Sequence, residues 1–345
     1  MEFSRINIIG AGPAGASLAF FLSSLGYSNI TVYESSKVLG SKPCGMAVPA
    51  SIKDLIKLEN EHIINEIKGY RLFIDEKLLH EDISGTHWGY IINKQKFLED
   101  LVSDVEVKRE HLKINLDELS KRKDELYVIA AGIYWNGSPK ERLNAVEATV
   151  NVYNWNEPSI IQIWFDTKLM GYYWAFPHSE KKVNIGVGGF EDFFSLKARL
   201  IKFIKKIGSV EKMEPEKILG SQIVSTGIVD SILSPAENVF AIGEGVGSVL
   251  PLTGEGIRPS IQMAKIFSEN ISSKELFIQN FKSSALYKTS KIQRKILSIL
   301  KQMPPFLRNK IMRSIPKDIM IKIGLGSYSE NDVNKLKLIL KTFQV

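Results

Sequence analysis

The chain has 345 residues, 44% hydrophobic and 24% charged, which suits a globular protein of two or three domains and excludes a low-complexity segment. No run of about 18 apolar residues marks a membrane span, and Met1, Glu2 and Arg5 lead into a strand-like pattern rather than a signal peptide, so the expected location is cytoplasmic. One cysteine, Cys44, excludes an internal disulfide, the five histidines lack close metal-ligand spacing, and the formal charge of +7 is concentrated in the C-terminal quarter.

In chain order, Arg5 to Ile9 is a largely apolar strand running into Gly10-Ala11-Gly12-Pro13-Ala14-Gly15, and an apolar helix follows from Ala16 to Leu25. Strand, glycine turn and helix make a dinucleotide-binding fingerprint. Gly10 permits the tight turn, Gly12 admits a pyrophosphate to the backbone amides, and Gly15 allows close packing of helix on strand. The helix N-terminus adds N–H donors and positive dipole for phosphates, and Gly10, Gly12, Pro13, Ala14 and Gly15 are the expected cofactor contacts. Gly26 is the expected C-cap, and Asn29 to Tyr33 is a second strand. Glu34 closes that strand 24 residues beyond Gly10, where an acidic group accepts from ribose hydroxyls. The fingerprint alone does not separate NAD from FAD.

Further on, Tyr70 to Asp75 and Lys77 to Glu81 read as a hairpin about Asp75-Glu76. Strands are expected at Ala148–Tyr153, Ile160–Phe165 and Val183–Gly188, building an antiparallel sheet, and Ser195–Ile207 has helical spacing. Lys282 to Lys322 carries eleven basic residues against Asp318 alone, a balance of 11 − 1 = +10. Within it, Ile292, Ile296, Leu297, Ile299, Leu300 and Met303 form the apolar stripe of a basic helix, with breaks expected at Pro304-Pro305 and Pro316. Such a helix packs on the protein with its charges in water or meets an anionic membrane surface; no nucleic-acid motif accompanies the charge.

Two later segments bring a family into view. Leu126–Gly132, ending in Ala131 and Gly132, is similar to the strand that closes the nucleotide sheet of glutathione-reductase-type flavoproteins. Val239–Gly243 is a second such strand, followed by Glu244-Gly245-Val246-Gly247 and by Thr253-Gly254-Glu255-Gly256-Ile257. Together with Lys42-Pro43-Cys44-Gly45, and with Tyr172-Tyr173-Trp174-Ala175-Phe176-Pro177 matching Y-x-W-x-F-P, these segments give a chain that resembles the geranylgeranyl reductase family. That family is a branch of the p-hydroxybenzoate-hydroxylase-like flavoproteins, and the likeness covers roughly Ile6 to Ser260. Flavin-dependent halogenases carry a related W-x-W-x-I-P segment.

The resemblance implies an α/β protein: a glutathione-reductase-type FAD/NAD(P)-binding Rossmann-like domain, an antiparallel β-sheet substrate domain and C-terminal helices. The expected boundaries are 1–65, 86–145 and 235–275 for the FAD domain, 66–85 and 146–234 for the sheet domain, and 276–345 for the basic helical segment. FAD is the implied cofactor, held by the glycine turn, Glu34, Ala131, Gly132, Gly243, Gly254, Gly256 and Ile257. Cys44 and Gly45 belong to a loop that relatives place near the flavin ring. Two positions depart from the family. Glu244 stands where aspartate usually holds the ribityl chain, and Lys94 stands where relatives have an arginine, whose planar fork a lysine does not reproduce. The stretch after Ser260 also looks short for the family, which raises the prospect of a different substrate.

The implied chemistry is reduction of carbon–carbon double bonds in an isoprenoid lipid. The flavin carries the hard step, while the protein positions the alkene and excludes water. Tyr172, Trp174 and Phe176 are the candidate apolar walls, and the other reading is that they fill the packing between sheet and flavin. Cys44 is the candidate polar participant, as proton donor or as part of the cavity wall, against the plain reading of a small buried hydrophobe. His178 is read as structural. The electron donor is NAD(P)H or a ferredoxin-like protein, since no second dinucleotide fingerprint exists. The alternatives are an FAD-dependent monooxygenase of an apolar or aromatic substrate and a degenerate flavin-binding protein.

Overall fold

The computed structural model describes residues 3–153, 155–208 and 217–342. In chain order the strands are β1 (Arg5–Ile9), β2 (Ile30–Tyr33), β3 (Ala47–Pro49), β4 (Ile63–Ile67), β5 (Gly69–Ile74), β6 (Lys77–Asp82), β7 (Gly89–Ile92), β8 (Glu106–Lys108), β9 (Glu125–Ile129), β10 (Arg142–Asn151), β11 (Ile160–Asp166), β12 (Gly171–Ser179), β13 (Lys182–Gly189), β14 (Leu219–Val224) and β15 (Val239–Ala241). The helices are α1 (Pro13–Ser24), α2 (Lys94–Leu101), α3 (Leu116–Leu119), α4 (Phe193–Ile207), α5 (Ile257–Ser268), α6 (Lys274–Ser283), α7 (Ala285–Gln302), α8 (Pro305–Ser314), α9 (Lys317–Leu325) and α10 (Glu330–Thr342). None is long and apolar enough to cross a membrane.

Contacts divide the chain into two units. The first comprises Met1–Ser41, Lys94–Glu141 and Val224–Arg294. Its sheet runs β15-β9-β1-β2-β8, parallel throughout. Parallel strands covered on both faces read as continuous apolar runs, and Ile6, Ile8, Ile9, Val128 and Ile129 are buried accordingly. Helix α1 begins at Pro13, earlier than the hydrophobic spacing predicts, because a proline at the first helical position gives up no hydrogen bond. The small residues of α1, among them Ala14, Gly15, Ala16 and Ala19, let it settle closely on its neighbours. Phe240, Phe267 and Phe277 close the core on one side, with edge-to-face ring pairs 4.9–5.9 Å apart.

The second unit comprises Lys42–Asn93, Arg142–Ile223 and Lys295–Val345. A seven-stranded sheet runs β14-β10-β13-β12-β11-β5-β6. It is mixed rather than antiparallel, since β11 pairs with β5 in parallel. These two strands lie far apart in sequence, so no hairpin fixes their relative direction. The expected hairpin joins β5 to β6, and its turn residues Asp75 and Glu76 both have positive φ, as a two-residue hairpin turn requires. Side chains alternate across the sheet. Val146, Ala148, Val150, Val183, Ile185 and Val187 face α4, whose Leu196, Leu200 and Ile204 complete that core. Helix α4 starts at Phe193, two residues before its expected start, because Asp192 accepts the Ser195 amide at 2.9 Å as an N-cap.

Residues 42–65 and 86–93, expected with the nucleotide domain, fall in the second unit. There β3, β7 and β4 make a small antiparallel sheet packed against β12. The segment expected at 276–345 is divided between the units within α7. Pro304 and Pro316 stand at the starts of α8 and α9, where the helix breaks are predicted. Much of the basic charge in this region is turned to internal acceptors. Lys291 reaches Asp230, Arg308 donates to the carbonyls of Leu300 and Thr167, Arg313 to that of Ile74, Lys317 to that of Glu81, and Lys322 pairs with Asp332.

Candidate functional site

In the first unit three loops converge at the ends of β1, β9 and β15. A side chain at Gly15 would start 1.8 Å from the Gly10 carbonyl oxygen, and one at Gly10 would start 2.6 Å from that of Ala130. One at Gly243 would start 2.6 Å from the Ala14 methyl, and one at Gly245 would start 3.2 Å from the Gly132 carbonyl. Gly10, Gly132 and Gly243 also have φ of 105°, 58° and 72°, which side chains disfavour. These glycines are therefore explained by the fold. Gly12 is different: its φ of −72° suits any residue, and nothing lies within 4 Å of where its side chain would project. The chain keeps an open cradle there at the start of α1, with no side-chain cap on the helix. Such a place takes a phosphate group on free backbone N–H donors, so the residues present fit a dinucleotide.

The remaining predicted cofactor residues lie as follows. Glu34 braces the turn: Oε2 accepts from the Ala11 amide at 2.8 Å and Oε1 from the Ser36 amide at 2.7 Å. Each carboxylate oxygen keeps a further acceptor site, so these bonds leave room for a ribose hydroxyl. Glu244 Oε1 accepts from the Val224 amide at 3.3 Å, and its Oε2 approaches Gly132. Lys94 opens α2 and is buried, its methylenes packed against Gly40. Ala131 N-caps the short helical turn Gly132–Tyr134. Gly254 has φ of 68° and donates its amide to the Leu250 carbonyl at 2.8 Å, while Gly256 and Ile257 open α5 without a side-chain cap. Interleaved with them is a pair that the sequence analysis missed, Glu255 and Arg258. Arg258 grips Glu255 through two hydrogen bonds of 2.7 Å, both side chains only 12% exposed. Burial first of all pushes the Glu255 carboxyl up, and the Arg258 charge opposes it. Its i, i+3 spacing at a helix start is the signal that could have found it.

In the second unit, the sheet face opposite α4 carries the aromatic motif. Tyr172, Trp174 and Phe176 alternate along β12 with ring centroids about 6 Å apart, at 6.0 and 6.1 Å. The register places Gly186 of β13 beside Trp174, and the indole lies over it: a side chain at Gly186 would start 2.0 Å from Cζ2. Trp174 Nε1 donates to Asn184 Oδ1 at 2.7 Å, and Asn184 donates on to Thr149 Oγ1 at 3.1 Å, so the indole plane is fixed from beneath. Trp174 is buried, whereas Tyr172 and Phe176 are half-buried.

The Cys44 loop rests on these rings. A side chain at Gly45 would start 2.8 Å from Phe176 Cδ2 and 3.2 Å from Trp174 Nε1, so only glycine lets the loop lie this close. Cys44 is half-buried, and its Sγ accepts the Met46 amide at 3.4 Å. Gly45, Trp174 and Phe176 thus lie together within the second unit, with Cys44 next to Gly45 in the chain. His178, just beyond the motif, has a buried Nε2 with no partner among the described residues. Burial, with Lys182 nearby, pushes its pKa down to about 4, so it is neutral at pH 7.

No family model matches the chain. Among curated proteins it is 24% identical to the digeranylgeranylglycerophospholipid reductase of Methanococcus vannielii, over 99% of this chain and 98% of that protein. It is 21% identical to the enzyme of the same name from Thermoplasma acidophilum, over 85% of this chain and 83% of that protein. Among solved structures, a geranylgeranyl bacteriochlorophyll reductase-like protein from Thermoplasma acidophilum superposes with a TM-score of 0.77, at 18% identity and over 99% of this chain and 98% of that one. A flavin-dependent brominase superposes with a TM-score of 0.70 at 13% identity, over 99% of this chain and 98% of that one. These superpositions establish the α/β fold, and the Methanococcus match runs through the C-terminal helices as well. With the Y-x-W-x-F-P strand and the Cys44 loop in place, the chain is similar along almost its whole length to proteins named as geranylgeranyl-lipid reductases.

Proposed function

We propose that the protein is an FAD-dependent oxidoreductase that reduces isolated carbon–carbon double bonds in the prenyl chain of an isoprenoid lipid. The observation that carries this reading is the sheet face on which Tyr172, Trp174 and Phe176 stand in a row with the Cys44 loop against them. A prenyl chain offers no hydrogen-bonding handle, so it is held by apolar area and shape, which aromatic side chains supply in quantity. The relatives' names point to the same substrate class.

When bound, FAD supplies a hydride to one alkene carbon. The chain's own residues do the rest. The backbone amides around Gly12 hold the pyrophosphate, and Glu34 takes a ribose hydroxyl. Trp174 is locked by Asn184 and so presents a rigid wall. Tyr172 and Phe176 flank it, and aromatic faces favour the positive charge that develops at the hydride-accepting carbon as its neighbour takes up a proton. Cys44 is the proton donor we assign to that neighbouring carbon. Its sulfur is aligned by the Met46 amide, which leaves the S–H free to point elsewhere.

The test is an anaerobic incubation of chemically reduced holoprotein with a geranylgeranyl-bearing lipid, followed by mass spectrometry. A gain of two hydrogens per double bond is expected. No gain, or insertion of oxygen once air is admitted, overturns the reading.

A further inference from the structure

Glu147 has no place in the chemistry described so far, and its surroundings are unusual. It lies in the middle of β10 within the buried run Ala145–Ala148, and is itself only 8% exposed. Its neighbours Val146 and Ala148 face α4, so the strand's alternation turns the carboxylate to the opposite face, which carries the aromatic row. Across the ladder it pairs with Gly186, the residue beneath the Trp174 indole. A carboxylate taken out of water at such a place is costly unless hydrogen-bonded. Here Oε1 accepts the backbone amide of Cys44 at 2.8 Å, a charge-assisted bond.

That bond is one end of a two-point suspension. Two residues further on, the Met46 carbonyl accepts the Ile92 amide of β7 at 3.0 Å. Between these anchors Gly45 is pressed on Phe176 and Trp174, and Met46 takes a left-handed φ of 57° while its own amide donates to Cys44 Sγ. On the Cys44 side the loop is therefore held to the floor of the sheet by the Glu147 carboxylate. We propose that Glu147 is the positioning residue for Cys44, setting where the thiol stands over the aromatic face. It acts through the Cys44 backbone and holds no reacting atom. As a statement about catalysis this rests on the function proposed above; as a statement about the loop it does not.

The single cysteine makes the claim measurable without an activity assay, because only Cys44 can react with a thiol reagent. The rate of iodoacetamide alkylation is measured by mass spectrometry on native holoprotein for wild type, Glu147→Ala, Glu147→Gln and Leu200→Ala. Removing the acceptor in Glu147→Ala loosens a hydrogen bond to a charged group, so alkylation is expected to speed up by about ten-fold or more. Glu147→Gln keeps an acceptor oxygen and stays within about three-fold of wild type. Leu200→Ala weakens the core on the other face without touching the loop, and also stays within about three-fold. The proposal is overturned if Glu147→Ala alkylates at the wild-type rate, if Glu147→Gln matches Glu147→Ala, or if Leu200→Ala matches it too. On prenyl lipid, kcat of Glu147→Ala should fall with KM little changed. A protein that reduces no lipid but shows the alkylation pattern refutes the reductase reading and leaves this inference standing.

Discussion

Glycines 10, 12, 15 and 243 share a residue type and differ in why they are there. At 10, 15 and 243 a methyl would strike backbone or the Ala14 methyl at 2.6 Å or less, so these positions are dictated by folding. At 12 a methyl meets nothing among the described residues, so folding does not demand glycine there, and the pyrophosphate we propose is what such a methyl would obstruct. Alanine at 12 should cost no more than about 1 kcal/mol of stability as a poorer N-cap. His178 makes the opposite kind of case, a chemically capable side chain silenced by its surroundings. Its pKa is ordinarily 6.5 and is pushed down to about 4 in the fold, so between these values the unfolded chain binds a proton that the folded chain does not. Its contribution to stability is whole above about pH 6.5 and is lost as pH falls towards 4. A His178→Phe variant should therefore lose less stability than wild type between pH 6.5 and 4 in urea titrations. Parallel losses in the two proteins would show that His178 does not titrate as described.

At the scale of elements, the β5–β6 hairpin meets helix α8 at the Asp75 carboxylate as well as at the Ile74 carbonyl that Arg313 reaches. Asp75 sits in the turn with φ of 44°, and its oxygens accept from the Thr167 amide at 2.9 Å, the Thr167 hydroxyl at 2.8 Å and the Asn309 amide at 2.6 Å. Partial burial works to raise its pKa, but the Thr167 and Asn309 hydrogen bonds and the Arg313 charge outweigh that and hold the carboxyl below its ordinary value. The clamp is thus complete above the ordinary carboxylate range and is released only as pH falls through the depressed pKa. Asp75→Ala removes three acceptor contacts at an exposed site, with an expected cost of about 1–2 kcal/mol. Hydrogen exchange should locate the loosening in α8 and the hairpin turn, with β1 and β9 of the first unit unchanged. Uniform loosening of all strands would refute the clamp.

For the molecule as a whole, the features legible in sequence are those whose signal is local. The turn at 10–15 declares itself because glycine spacing, strand and helix are contiguous. The strands of the second unit follow from alternation, as in Ile160–Phe165 and Val183–Gly188. The family motif draws attention to Trp174, Phe176 and the Cys44 loop, and the structure sets Gly45 of that loop against the two rings. What escapes is long-range. The parallel partnership of β11 with β5 and the transfer of residues 42–65 to the second unit depend on strand pairings that no local pattern encodes. Glu147 escapes for a related reason. In Arg142–Asn151 a glutamate at an alternate position looks like an ordinary solvated face, and only the pairing with Gly186 and the distant Cys44 loop shows that it is buried. Glu34 is legible as a residue near the turn, but not as its brace to Ala11 and Ser36.

Every step proposed for this chain needs an adenine dinucleotide with a redox-active ring, held on the open turn at Gly12. The most direct test is to release and identify whatever chromophore copurifies with wild-type protein and with Gly12→Ala. The account predicts FAD, equimolar with wild-type chain, and a Gly12→Ala protein that folds with wild-type cooperativity yet holds FAD at least about ten-fold more weakly. A wild-type protein that carries no flavin and takes up none when it is supplied, or a Gly12→Ala protein that retains it fully, would contradict the account.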